Sequence, residues 1–141
     1  MVLGAIEWFK RKVRIFKSRW FQRFARKAAI TDAVLLEAAD RAGKGQIDAD
    51  LGGEVVKQRI AKPGQGRSRG YRTIILFRRG SKAFFVYGFH KSQRANIDDD
   101  ELRQFKEAAK HVLALSERQL AELLKRGDFV EVKKNGQKVS Q

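Results

Sequence analysis

Apolar and polar positions alternate most clearly from Glu54 to Ile60, where Val56, Gln58 and Ile60 fall on one side and Val55, Lys57 and Arg59 on the other. That period of two predicts a half-buried strand. Tyr71 to Arg78 and Lys82 to Phe89 are rich in β-branched and aromatic residues, and Arg79-Gly80-Ser81 between them reads as a tight hairpin turn. Three consecutive antiparallel strands are therefore predicted over about 54–90. Thr73 to Phe77 is apolar on both faces, so each face of this sheet needs cover. The segment Lys62 to Gly70 holds the single proline, Pro63, and glycines at 64, 66 and 70, and predicts a loop.

Helical spacing appears on both sides of the strands. Ser18 is placed to cap a short helix over Arg19 to Lys27, and Thr31 with Asp32 opens another that runs to Ala39 or Arg41 and stops at Gly43. Asp98 with Glu101 forms an acidic capping box before Leu102, Phe105, Ala109, Val112 and Leu113. Ser116 with Gln119 opens a last helix that ends at Gly127, before a short strand over Phe129 to Val132. Phe9, Val13, Phe16, Trp20 and Phe24 share one helical face among basic residues. This start reads as a helix packed on the sheet, as a membrane-surface anchor or as a transit-peptide-like segment, with packing favoured. The expected fold class is α+β. It has a small antiparallel sheet, N-terminal helices packed on it and further helices towards the C-terminus. One domain covers 1–132, with 1–13 an extension and 133–141 a flexible basic tail.

Composition narrows the chemistry. At 141 residues the chain is one domain in size. The absence of cysteine excludes disulfide frameworks, thiol catalysis and thiolate zinc sites, and His90 and His111 are too few for a histidine-built metal centre. No apolar run reaches the roughly 18 residues of a membrane span. The formal charge of +15 is unevenly spread: residues 54–94 carry eleven basic groups against Glu54 alone, whereas 31–53 and 95–132 are net acidic. Such a concentration points to a polyanion, first nucleic acid and second an anionic membrane surface.

Gly64-Gln65-Gly66 leads into a strand, which rules out a phosphate loop that opens a helix. Asp98-Asp99-Asp100 suits a helix N-terminus better than a divalent metal. The basic residues form the stronger constellation. Lys57 and Arg59 alternate onto one face, Arg72 starts the next strand after a loop carrying Lys62, Arg67 and Arg69, and His90, Lys91 and Arg94 follow the third strand. With Tyr71, Tyr87 and Phe89 nearby for stacking, the set suits RNA. Cleavage of RNA by side chains alone needs a base for the 2′-OH, cations for the pentavalent phosphate and an acid for the leaving oxygen. Arg72 or Arg59 fits the second role. For the base, the candidates are His90, imidazole being the side chain suited to proton transfer near neutral pH, and a lysine of the cationic cluster, Lys57 or Lys91. A purely local hydrogen-bonding role for His90 is the competing reading, and mid-helix His111 reads as structural.

Three segments in order carry a family resemblance: Gly52-Gly53-Glu54-Val55-Val56-Lys57-Gln58-Arg59, Gly66-Arg67-Ser68-Arg69-Gly70-Tyr71-Arg72, and Tyr87 to Ile97. Over roughly residues 14 to 132 the chain resembles toxins of the RelE/ParE superfamily, closest to the RelE-like branch. The resemblance implies a RelE-like fold and a cytoplasmic toxin of a type II toxin–antitoxin system. It also implies a metal-independent, ribosome-dependent mRNA endoribonuclease without cofactor, which inhibits translation and is neutralised by a cognate antitoxin protein. Its catalytic basic positions match Lys57, Arg59 and Arg72, with Lys91 and Arg94 in the cluster after the last strand. The pattern departs at two places: the family arginine after that strand aligns with Ser92, and a tyrosine a few residues later aligns with Asp98. The ParE branch acts on DNA gyrase, so a non-catalytic toxin or basic binding module is the alternative.

Overall fold

The computed structural model describes residues 13–62 and 66–133. The first element of the described residues is a strand, β1 (Arg14–Ser18), and Ser18 then turns the chain into helix α1 (Arg19–Ala28), its Oγ accepting the Phe21 N–H at 3.1 Å. Thr31 caps α2 (Asp32–Gly43) in the same way. Four strands follow: β2 (Ala49–Gly52), β3 (Val55–Lys62), β4 (Gly66–Arg78) and β5 (Lys82–His90). Helix α3 (Asp99–Val112) opens on a reciprocal capping box of Asp98 and Glu101, and α4 (Glu117–Arg126) on one of Ser116 and Gln119. Gly127, at φ 82°, ends α4 in the left-handed conformation that glycine adopts without strain, and β6 (Phe129–Val132) follows. The strands form one sheet in the order β2-β3-β4-β5-β1-β6.

Several elements differ from their sequence expectation. Val13 to Phe24 is not one helix: Arg14–Ser18 is a strand that pairs parallel with β5 and antiparallel with β6. Ile15 and Phe16 therefore enter different cores, which a shared helical face does not allow. The sheet is mixed, because β1 runs parallel to β5, and it gains β2 as an edge strand. The basic segment after Lys62 is shorter as a loop than predicted, since β4 begins at Gly66, which pairs with Lys62. Residues 1–12, including Phe9, Pro63 to Gln65, and the tail from 134 lie outside the described residues. So do the side chains of Lys62, Arg67 and Arg69.

Both faces of the sheet are covered, and adjacent strand residues divide between two cores. Ile15, Val56, Ile60, Ile75 and Phe85 meet Phe21, Ala25, Leu35 and Ala38 of α1 and α2. Phe16, Val55, Ile74, Leu76 and Phe84 meet Ala109 of α3, Leu113 and Leu120. Between β4 and β5 the register slips: Ile75 pairs with Phe85 but Ile74 with Tyr87, leaving Val86 as an extra residue. This bulge resets the alternation of β5. Tyr87 and Phe89 turn to the face of Ile74 and Arg72, and His90 turns to the face of Tyr71.

An ion pair clamps β1 to β6. Arg14 donates from Nε and Nη2 to the two carboxylate oxygens of Glu131 at 3.0 and 2.9 Å. Those hydrogen bonds hold the Glu131 carboxyl below its ordinary value of 4.5, with burial opposing them in part. A carboxyl whose pKa is lowered by folding adds stability above its unfolded value and loses it as pH falls through the folded one. Glu131→Gln is thus expected to cost about 1 kcal/mol near neutral pH. Denaturant unfolding repeated in acid should show the difference between wild type and variant shrinking once pH drops below 4.5.

Candidate functional site

Alternation along β3 points Lys57 and Arg59 to the face of the α3–α4 core, and the register that pairs Arg59 with Arg72 brings β4's cation beside them. Asp48 stands just before β2 and is tied to β3 by its N–H, which donates to the Lys57 carbonyl at 3.0 Å. Its carboxylate lies among all three cations. Oδ1 accepts from Arg59 Nε at 2.9 Å, while Oδ2 is 3.4 Å from Arg72 Nε and 3.6 Å from Lys57 Nζ. Burial raises the Asp48 pKa, but the hydrogen bond from Arg59 and the charges of Lys57, Arg59 and Arg72 outweigh it and hold the group ionised below its usual range. The side chain of Arg72 is only 6% exposed, and its Nη1 is buried without a hydrogen-bond partner among the described residues. Three cations facing one carboxylate leave a local excess of positive charge with donor capacity unspent.

A second group continues this face. Phe89 sits opposite Arg72 in the β4–β5 register. The Arg94 guanidinium lies 5.6 Å from the Phe89 ring and 5.9 Å from the Tyr87 ring, and donates to Tyr87 Oη at 3.0 Å. Its two terminal nitrogens also reach Glu101 at 2.6 and 3.1 Å. That fork holds the Glu101 carboxyl below its usual range, helped by the capping bond from the Asp98 N–H. Asn96, in the loop between β5 and α3, accepts from Lys57 Nζ at 3.4 Å and so joins the two groups.

Residues 13–132 match the family model described as the RelE toxin of the RelE / RelB toxin-antitoxin system. The chain belongs to the RelE toxin family. No curated protein and no solved structure matches it.

In this RelE-family chain the predicted site residues divide into groups. Lys57, Arg59 and Arg72 meet, and Arg94 adjoins them through Phe89. His90 does not join them. The Val86 bulge puts it on the other face, edge-on to Tyr71 with ring centroids 5.2 Å apart, and its Nδ1 takes the Ser92 N–H at 3.1 Å. Tyr71 shares that face and packs edge-on to Phe24. Lys91 and Ser92 are exposed in the turn that follows β5. His111 is exposed on α3 beside Glu107, 3.2 Å away. Asp98 is spent on its cap and Asp100 on Arg103, and among the described residues no group of carboxylates and histidines could hold a metal ion. Nor, among them, is any helix long and apolar enough to cross a membrane.

Asp48 is the site residue that sequence reasoning missed. Its signal lay in Gly52-Gly53, both at positive φ, which reverse the chain between β2 and β3. From that reversal the register runs Gly52–Val55, Asp50–Val56 and Ala49–Lys57, with Leu51 as an extra residue, so Asp48 directly precedes the partner of Lys57.

Proposed function

We propose that this RelE-family toxin is an endoribonuclease that cuts mRNA on the ribosome and thereby arrests translation, using side-chain cations in place of a metal. The observation that carries this reading is the meeting of Lys57, Arg59 and Arg72, from two paired strands, on a single carboxylate. Preorganised cations aimed at a developing phosphorane are the largest catalytic contribution a protein makes to such a step. In this reading Arg72 stabilises the pentavalent phosphate, Lys57 and Arg59 hold its non-bridging oxygens, and Arg94 with Tyr87 and Phe89 lies along the path of the adjoining nucleotide. Lys91 and the basic β3–β4 hairpin, with Lys62, Arg67 and Arg69, add long-range attraction to RNA. The orientation of His90 towards Tyr71 favours its local role over acid–base work.

A cognate antitoxin that covers this face needs carboxylates opposite the cations, so the complex should weaken as salt rises. The toxin would act in the cytoplasm, where message is translated. The deciding experiment is induced expression in bacterial cells with mapping of message 5′ ends. New ends within translated regions, absent when translation is blocked beforehand, are expected. Growth arrest with intact message and halted replication would instead assign the chain to a gyrase-directed, non-cleaving toxin.

A further inference from the structure

Asp48 occupies the point at which Lys57, Arg59 and Arg72 converge, so its carboxylate competes with any other anion for the same donors. The carboxylate fills that place incompletely. Its 2.9 Å bond from Arg59 is of normal length for a charge-assisted hydrogen bond, but the contacts to Arg72 and Lys57, at 3.4 and 3.6 Å, are long for one. The buried Nη1 of Arg72, without a hydrogen-bond partner among the described residues, is a further donor left over on the same guanidinium. Without any anion, three like charges would repel one another and a nearly buried guanidinium would be uncompensated. We infer that Asp48 is a positioning residue that stands in for the substrate phosphodiester. It keeps the three cations converged until substrate binds, then cedes Lys57 and Arg72 to the phosphate while holding Arg59 by its Nε alone, which leaves the terminal nitrogens of Arg59 for a non-bridging oxygen. This inference rests on the nuclease reading for the identity of the substrate, but the anion seat itself can be tested apart from it.

The first test is thermal unfolding of the full chain, wild type and Asp48→Asn, in inorganic phosphate and in sodium chloride of matched ionic strength. The variant is expected to unfold at a lower temperature in chloride and to regain most of that loss in phosphate, whereas wild type, its seat already filled, gains little. Equal gains for both proteins, or a variant that stays unfolded even in phosphate, would overturn the stand-in role. The second test uses an oligoribonucleotide blocked by 2′-O-methyl groups, with the matching unmodified RNA for cleavage on ribosomes. Asp48→Asn should bind the blocked RNA roughly tenfold more tightly, because a competing negative charge is gone. Its salt dependence should steepen by about 0.7 in log–log slope, the increment for one more phosphate neutralised on a single strand. Cleavage should nevertheless fall roughly 10- to 100-fold, since Arg59 loses its fixed orientation. Affinity and cleavage falling together would make Asp48 merely structural. Wild type that binds RNA without cutting it would sink the nuclease reading while leaving the phosphate result to decide on the seat.

Discussion

Arg72→Ala should lower mRNA cleavage by roughly 10²- to 10³-fold, the usual cost of removing one preorganised donor from a developing oxyanion. The protein should still fold. Asp48 keeps its 2.9 Å bond from Arg59 and its contact with Lys57, so the substitution does not strand a buried carboxylate. What it does remove is a nearly buried side chain between β3 and β5, at a cost of about 1–3 kcal/mol. Arg72→Lys separates charge from geometry: a lysine restores the positive charge but not the planar fork, and should recover only part of the rate. Single-turnover cleavage on ribosomes, with thermal unfolding of the same preparations, measures both quantities. A folded Arg72→Ala protein that cuts message within about tenfold of wild type would remove Arg72 from the role assigned to it.

How much of this site could be read from residue order depends on the distance over which each signal acts. Lys57, Arg59 and Arg72 were legible because the strand period sets their faces and a single hairpin joins their strands. The helix caps at Ser18, Thr31, Asp98 and Ser116 were legible for the same reason, each acting within four residues. β1 was not. Its partners, Lys82 to Phe85 and Phe129 to Val132, are more than 60 residues away, and Phe16, Trp20 and Phe24 mimic a helical face by spacing alone. Trp20 does lie on α1, but it stacks on Tyr87, with centroids 4.8 Å apart, and is 40% exposed. The placement of His90 was beyond reach for a different reason. One extra residue at Val86 inverts which side chains face the cations, and local composition does not mark that slip. Arg94 looked free to bind RNA, yet Glu101, recognised only as a capping residue, also accepts its fork.

Gly88→Ala should destabilise the fold by about 2–3 kcal/mol, although it adds one methyl group to a strand that tolerates alanine in principle. The strand β5 has ordinary extended geometry here, so the need for glycine is steric. A Cβ at this position would overlap Phe24 Cε2, with Cζ at 2.9 Å and Cδ2 at 3.0 Å. The ring cannot step aside, because Trp20, Phe21 and Tyr71 pack around it at centroid distances of 5.3, 5.5 and 5.5 Å. Either α1 lifts from the sheet or β5 shifts, and β5 carries Tyr87 and Phe89 on its other face. For a domain of this size the melting temperature should drop by roughly 10 °C. A double-mutant cycle with Phe24→Leu identifies the cause. Phe24→Leu alone loses ring packing, but in its presence Gly88→Ala should cost less than about 1 kcal/mol, because the methyl group then has room. Additive losses in the double variant would place the strain elsewhere than at Phe24. An unchanged melting temperature in Gly88→Ala alone would mean that α1 does not bear directly on the strand behind the cations.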